Sequence, residues 1–561
     1  MANRYALVIL LFLMIVNVNI LLAPAKKTQP KKPTNKKSKK SSTSKDRLEQ
    51  NGSSPSSPPP PSSPPHIIFI LADDLGWNDI GYHAKAGSLA KTPFLDRMAE
   101  TGVKLENYYV QPVCSPTRSQ LMTGRYQIRM GTQHTNFSPG ENICLPLNET
   151  LLPELLQKQG YVTHAIGKWH LGMAKRACLP TRRGFDSFFG IVLGTSDHYT
   201  YERSIVYDKK LPNRTATSGN NLYENENATT KYIGKFSAEL YTERAIDIIR
   251  KHKKKKPLFL YLPFQMVHKP DKLPKKYLRD FKRKVNNRDR LHYLGRVAAL
   301  DLAVKSIVKA LIVHQLYDNS VIIFSTDNGG SVKHMASNWP LRGGKGRLWE
   351  GGIRAVGFVH SPLLPRKVRG SSYHGLMHIS DWFPTLIEGV AGGSLKKSFS
   401  KSLDGYNVWK SITSLRRSPR VVILHNIHPF AHVRDWRTKD MKEWGPLNKL
   451  PFNATLRAAI RIGDWKLMTG GPGTGRRYLP PESSVKKLFI YDDQDPIRLY
   501  NIKKDPKEMN NLALNFTGKV FRMLRKLGHY QKQAVEPLKY HIDQRSNPSL
   551  HNGAWTPWLD D

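Results

Sequence analysis

His66-Ile67-Ile68-Phe69-Ile70-Leu71-Ala72-Asp73-Asp74 is the stretch that decides the fold. The unbroken apolar run Ile67–Leu71 reads as a strand buried on both faces, as in a parallel sheet. It ends abruptly in two acids. Three other runs follow the same plan. Val162–Ile166 leads into Gly167-Lys168-Trp169-His170, and Leu258–Leu262 leads through a short loop to His268. Val321–Ser325 ends at Asp327-Asn328-Gly329-Gly330. Helical stretches alternate with these runs, including one at about Arg290–Val313 with Ala298, Leu302, Val304 and Ile307 in its apolar stripe. The pattern predicts an α/β fold with a large, mainly parallel sheet flanked by helices. Ligands of such sheets bind outside the carboxyl ends of the strands, so four segments far apart in sequence are expected to converge on one edge.

The residue types gathered there suggest a chemistry. Asp73, Asp74, Asp327 and Asn328 are hard oxygen donors suited to Ca²⁺ or Mg²⁺, and no Cys/His spacing of a zinc cage occurs. One Asp-Asp pair alone reads as a turn or a helix cap. Two acid-bearing strand ends in one sheet favour a metal. Lys168, His170, His268 and Lys345 add positive charge and proton donors, Lys345 from the glycine-rich run Leu341-Arg342-Gly343-Gly344-Lys345-Gly346, where backbone can approach an anion closely. In Cys114-Ser115-Pro116-Thr117-Arg118, Pro116 suits the first position of a helix continuing through Arg118–Met122, with Ser115 as its cap. Cys114 then lies at a helix N-terminus, where the dipole favours bound anions and a thiol can be activated as it stands.

Composition bounds the setting. The chain has 561 residues, and its 88 Lys and Arg against 44 Asp and Glu leave a formal charge of +44. That excess attracts polyanions. Nucleic acid is disfavoured, since no zinc-finger spacing, RRM-type aromatic signature or heptad-backed basic helix is present. Residues 1–25 read as a secretory signal peptide, with a signal anchor as the alternative, and no stable membrane span is expected after cleavage. Residues 26–65, lysine-rich and then Ser/Pro-rich, read as a disordered basic linker. Sequons at Asn51, Asn148, Asn213, Asn227, Asn453 and Asn515 fit a glycosylated path; that of Asn136 is set aside because Pro139 follows it. Three cysteines occur, and an exported chain with an odd count leaves one free or modified. Cys144 and Cys178 can pair, leaving Cys114; three reduced core cysteines are the alternative. Beyond about residue 415 the texture changes to short strands at Val421–Leu424, Ala458–Arg461 and Trp465–Met468, a turn at Gly463-Asp464 and a final helix at Gly518–Leu527. The division expected is a catalytic α/β domain over 66–415 and a smaller α+β domain over 416–561.

Taken together, Leu71–Asp74, Cys114–Arg118 with Leu121-Met122-Thr123-Gly124-Arg125, Gly167–Gly172, Val267-His268, Thr326–Gly330 and Asn338–Gly346 resemble the motifs of the sulfatases. These belong to the alkaline-phosphatase-like superfamily, and the resemblance is strongest to the arylsulfatase B, I and J group. It implies a sulfuric ester hydrolase acting on sulfated carbohydrates or aryl sulfates. It implies that the formylglycine-generating enzyme converts Cys114 to formylglycine in the endoplasmic reticulum, and that the product is secreted or lysosomal. Asp73, Asp74, Asp327 and Asn328, with the modified Cys114, would bind one Ca²⁺. Arg118 and Lys168 would hold the formylglycine hydrate. Lys168, His268 and Lys345 would grip the sulfate, with His268 and Lys345 helping to protonate the leaving oxygen. His170 would act as base when a covalent sulfate ester breaks down. The chain departs from the group in keeping few cysteines, with Cys144–Cys178 as its one expected disulfide. Phosphoester hydrolysis and glycan binding without turnover are the competing readings.

Overall fold

Ile67–Leu71 is completely buried, with a parallel strand on each side and apolar packing on both faces. The computed structural model describes residues 63–84, 88–133, 136–206, 216–432, 444–483 and 495–560. The signal peptide, the linker as far as residue 62, and the sequons at Asn51 and Asn213 lie outside the described residues. The main sheet comprises β1 (His66–Ala72), β2 (Val103–Leu105), β3 (Val162–Lys168), β4 (Ser187–Ile191), β5 (Leu222–Glu224), β6 (Asn227–Ala228), β7 (Leu258–Pro263), β8 (Ser320–Thr326), β9 (Gly357–His360) and β10 (Ser371–Tyr373). Their order is β10-β2-β9-β8-β1-β7-β3-β4-β5-β6. The central five, β8-β1-β7-β3-β4, are parallel, and antiparallel strands close both sides. All four strands read from the sequence lie in this parallel centre.

Side chains alternate across the sheet as a period of two requires. Ile67, Phe69 and Leu71 pack on one face with Leu121 and Met122 from α2 (Cys114–Thr123), while Ile68 and Ile70 pack on the other with Val297, Leu300 and Val304 from α4 (Arg288–Val313). Two further helices, α1 (Pro93–Thr101) and α3 (Ser237–Lys251), join the α4 side. Each fully buried Ile, Leu or Phe contributes roughly 1.5–3 kcal/mol. The stripe expected on α4 is corrected in part. Val304 and Ile307 are buried, but Leu302 is 46% exposed and Ala298 only half-buried. The face turned to the sheet runs instead through Val297, Leu300, Val304, Ile307, Val308 and Leu311, where the 3.6-residue repeat meets the strands.

A second sheet pairs β11 (Val422–His432), β12 (Leu456–Ile462), β13 (Trp465–Thr469) and β14 (Ile497–Asn501), all antiparallel. The turn at Gly463-Asp464 is present, and α5 (Thr517–Gln531) lays Val520, Leu524 and Leu527 on this sheet. Beyond α5 the chain returns to the large sheet, where Trp555 is buried and its carbonyl accepts from Tyr223 Oη. Among the described residues, no helix is long and apolar enough to cross a membrane. Lys253–Lys256 are exposed on the loop before β7, at the amino-terminal edge of the sheet, and so do not line the site described next.

Candidate active site

Register brings the acids together. Ala72 of β1 sits opposite Thr326 of β8, so Asp73 and Asp327, the next residue on each strand, emerge side by side. Asp73, Asp74, Asp327 and Cys114 each present an atom within 4.8 Å of the others, and all four are buried. Asn328 joins them: its Nδ2 donates to Asp74 Oδ1 at 2.7 Å, and its Oδ1 lies 3.4 Å from Cys114 Sγ. Cys114 Sγ is also 3.5 Å from Asp73 Oδ1.

Cations answer these acids from other elements. Arg118, fully buried on α2, donates through Nε and Nη2 to Asp327 Oδ2 at 3.2 and 2.8 Å, and through Nη1 to the Lys168 carbonyl. Lys168, at the end of β3, reaches Asp73 Oδ2 at 2.6 Å. Lys345 reaches Asp74 Oδ1 at 2.6 Å. Its loop is fastened by backbone bonds from Lys345 to Gly330 and from Gly346 to Pro112, with Asn338 Nδ2 donating to Gly330 and Gly343 carbonyls. Burial alone would raise the Asp73 and Asp74 carboxyls. The neighbouring Lys168 and His268 for Asp73, and Lys345 and His268 for Asp74, reverse that and hold both below the ordinary value. Burial works against the Lys345 ammonium too, and Asp74 together with Cys114, Asp73 and Asp327 more than offsets it. Cys114 goes the other way: burial, then Asp327 and Asp73, push its thiol well up. These neighbours oppose a thiolate.

The two histidines are oriented by backbone. His170 Nε2 lies 3.0 Å from the Phe137 carbonyl, so it carries the hydrogen, and the buried Nδ1 is left without a hydrogen-bond partner. Burial, then Lys168 and Arg118, hold this imidazole far below its ordinary value, so it is neutral. His268 Nδ1 lies 2.8 Å from the Lys269 carbonyl, which turns Nε2 toward Asp74 Oδ2 at 3.7 Å. Burial and Lys345 lower this ring as well. Asp74 and His170 both adopt left-handed backbone, φ 65° and 58°, the strained conformation that clusters at functional sites.

The predicted cap is corrected. The helix begins at Cys114 with Val113 as its N-cap, so Ser115 lies inside the first turn. Its hydroxyl donates to the His170 carbonyl and its N–H to Asn136 Oδ1. Pro116 is the third residue of the helix rather than its first, and is accommodated because first-turn residues need no intrahelical donor. The sequence reading missed Thr117, whose Oγ1 donates to the Asp327 carbonyl at 2.5 Å and accepts from Gln111 N. It also missed Phe137, whose part is played by a carbonyl and leaves no mark in residue type.

The oxygen set fits a hard dication. Asp74 Oδ2 is buried with no hydrogen-bond donor, and the cluster offers carboxylate and amide oxygens of the kind Ca²⁺ takes. Cys144 and Cys178 form a disulfide with Cα atoms 6.1 Å apart, and Cys114 remains free. Asn148, Asn227 and Asn515 are exposed and Asn453 half-buried.

Known proteins carry the same arrangement of chain. The family profile described as Sulfatase matches residues 65–392. Arylsulfatase J of Mus musculus is 44% identical over 88% of this chain and 80% of its own. N-acetylgalactosamine-6-sulfatase of Homo sapiens is 31% identical over 64% of this chain and 68% of its own. The crystal structure of Ps i-CgsB in complex with k-i-k-neocarrahexaose superposes with a TM-score of 0.68 at 26% identity, covering 87% of this chain and 98% of that one. The fold is that of the alkaline-phosphatase-like sulfatases, and the chain belongs to the sulfatase family as a sulfuric ester hydrolase.

Proposed function

We propose that this chain is a calcium-dependent sulfatase whose nucleophile is made from Cys114. The observation that carries the reading is the buried cluster of Asp73, Asp74, Asp327 and Cys114, met by Arg118, Lys168 and Lys345. Three carboxylates there face three permanent cations, so a dication would leave net positive charge for a sulfate ester. Asp73, Asp74, Asp327 and Asn328 would hold the Ca²⁺, which would supply Lewis-acid stabilisation of negative charge on the reacting oxygens. Conversion of Cys114 to formylglycine would supply a hydrated aldehyde as the attacking hydroxyl, in place of a thiol that its surroundings keep protonated.

The remaining chemistry falls to this chain's own side chains. Arg118 is fixed by Asp327 and would hold the nucleophile on α2. Lys168 and Lys345 would bind the sulfate oxygens, giving positioned charge where negative charge spreads in the transition state. His268, once the negative charge of a bound sulfate ester favours its imidazolium, would donate from Nε2 to the leaving oxygen, with Lys345 beside it. His170 Nδ1, a bare acceptor on a neutral ring, would take a proton from the nucleophile's second hydroxyl. Sulfated carbohydrates are the substrate class we favour. The relative named N-acetylgalactosamine-6-sulfatase and the neighbour holding an oligosaccharide support that choice. The formylglycine-generating enzyme would be a partner during maturation, in the secretory pathway, with glycans on the exposed sequons.

The test is mass spectrometry of the tryptic peptide Leu105–Arg118 from protein secreted by cells that make formylglycine. Aldehyde in place of thiol, with release of sulfate from a sulfated sugar, is the expected result. Thiol alone in a protein that still hydrolyses sulfate esters would overturn the mechanism.

A further inference from the structure

Next to Lys345 lies a cavity of about 380 Å³ lined by Ser331, Val332, Lys333, Lys345, Arg347 and Tyr478. It adjoins the candidate site through Lys345, which lines the cavity and whose Nζ binds Asp74. Arg347 is half-buried in its wall. Its Nε donates to Thr474 Oγ1 at 2.7 Å, its guanidinium lies 6.0 Å from the centre of the Tyr478 ring, and Gly473 packs against its stem. Behind the loop Arg457 of β12 donates to the Gly346 carbonyl and adds a second guanidinium. Lys333 is exposed at the mouth. Among the described residues neither Lys333 nor Arg347 has a carboxylate partner, whereas Lys168 and Lys345 each have one. A fixed guanidinium with unanswered charge beside a half-buried aromatic ring is suited to an anionic sugar.

We propose that this cavity is a subsite for a second anionic group of the substrate, a carboxylate or sulfate on the sugar next to the one desulfated. Arg347 and Lys333 bind that anion, and the sugar's apolar face lies on Tyr478. The proposal rests on the sulfatase reading and narrows it to polyanionic glycans. It also gives the 473–478 segment, which follows the second sheet's β13, a direct part in substrate choice. Arg347 and Lys333 are specificity-determining residues and touch no reacting atom.

Three substrates test it with the mature enzyme: a monosulfated N-acetylhexosamine, the same sugar linked to a hexuronate, and the same sugar linked to a second sulfated hexosamine. The wild type is expected to prefer one or both dianionic substrates by about tenfold or more in kcat/KM, chiefly through KM. Which of the two is preferred tells carboxylate from sulfate. Arg347→Ala should remove most of that preference, Arg347→Lys should keep part of it, and Lys333→Ala, at an exposed position that folding does not depend on, should weaken it. No preference in the wild type, or a preference unchanged in both alanine variants, would overturn the proposal. If the wild type hydrolyses no sulfate ester, the sulfatase mechanism fails, and calorimetry then scores the subsite by itself. Binding of the dianionic disaccharides to Cys114→Ala that is lost in Cys114→Ala/Arg347→Ala supports it, and equal binding to both refutes it.

Discussion

Asp74 shows how much one side chain is asked to do. Its Oδ1 takes Lys345 and Asn328, its Oδ2 is buried without a donor, and its backbone is left-handed. A carboxylate so placed is costly unless a cation completes it. Calcium should therefore raise the melting temperature of the wild type, contributing about 2.7 kcal/mol at roughly 100-fold excess over Kd. Asp74→Ala should melt at the same temperature with calcium or with chelator; a calcium shift surviving in that variant would place the ion elsewhere. Cys114→Ala belongs to the same scale. The side chain is small, so stability should stay within about 1 kcal/mol, while sulfate release falls by roughly 10³-fold or more. Calorimetry beside a turnover assay separates the two. Of the residues in this cluster, the acids, lysines and histidines were legible because residue type declares their chemistry. Thr117 and Ser115 were not, since a hydroxyl in a helix gives no sign of whether it caps, back-bonds or braces a distant carbonyl.

Elements carry these side chains to one another, and the parallel pairing leaves little tolerance. Gly167, directly before Lys168 at the end of β3, has φ 130°, and a Cβ there would lie 2.1 Å from the Pro263 carbonyl of β7. Gly167→Ala should push β3 from β7, cost roughly 2–4 kcal/mol, and draw Lys168 away from Asp73. Thermal melts and kcat/KM should fall together. A variant with wild-type activity would show that β3 need not hold Lys168 at that distance. The four central strands were readable because burial on both faces demands continuous apolar runs. The outer strands are two to four residues long and no such demand marks them. On α4, Leu302 looked like core because an apolar residue at helical spacing reads as buried, and only the packing of α3 and α4 on the sheet decides which 100° of the helix is covered.

For the whole molecule the critical joint is polar. Lys466 of β13 is fully buried and donates to Glu350 Oε1 at 3.0 Å and Glu508 Oε1 at 2.7 Å, while Tyr109 Oη donates to Glu350 Oε2. Burial raises the Glu508 carboxyl to about 7 against the pull of Lys466, which repulsion from Glu350 in part cancels. Glu350 follows the loop that bears Lys345, so this joint ties the second sheet to the site. Lys466→Met would remove the ammonium that Glu350 and Glu508 share and should cost about 3–5 kcal/mol. Calorimetry should show a lower melting temperature, and Lys345 chemistry should suffer with it. An unchanged melt would mean that the two sheets do not depend on this contact. By itself the sequence determined the fold class and the residues gathered at its carboxyl edge, because apolar period and residue chemistry are local properties of a chain. The tertiary structure alone decided that Lys466 meets Glu350 and Glu508, that Tyr478 and Arg347 share a cavity with Lys345, and that Lys253–Lys256 face the opposite edge. Those outcomes depend on how two sheets dock, which follows from the shape and charge of whole surfaces and leaves no periodic signal in either segment.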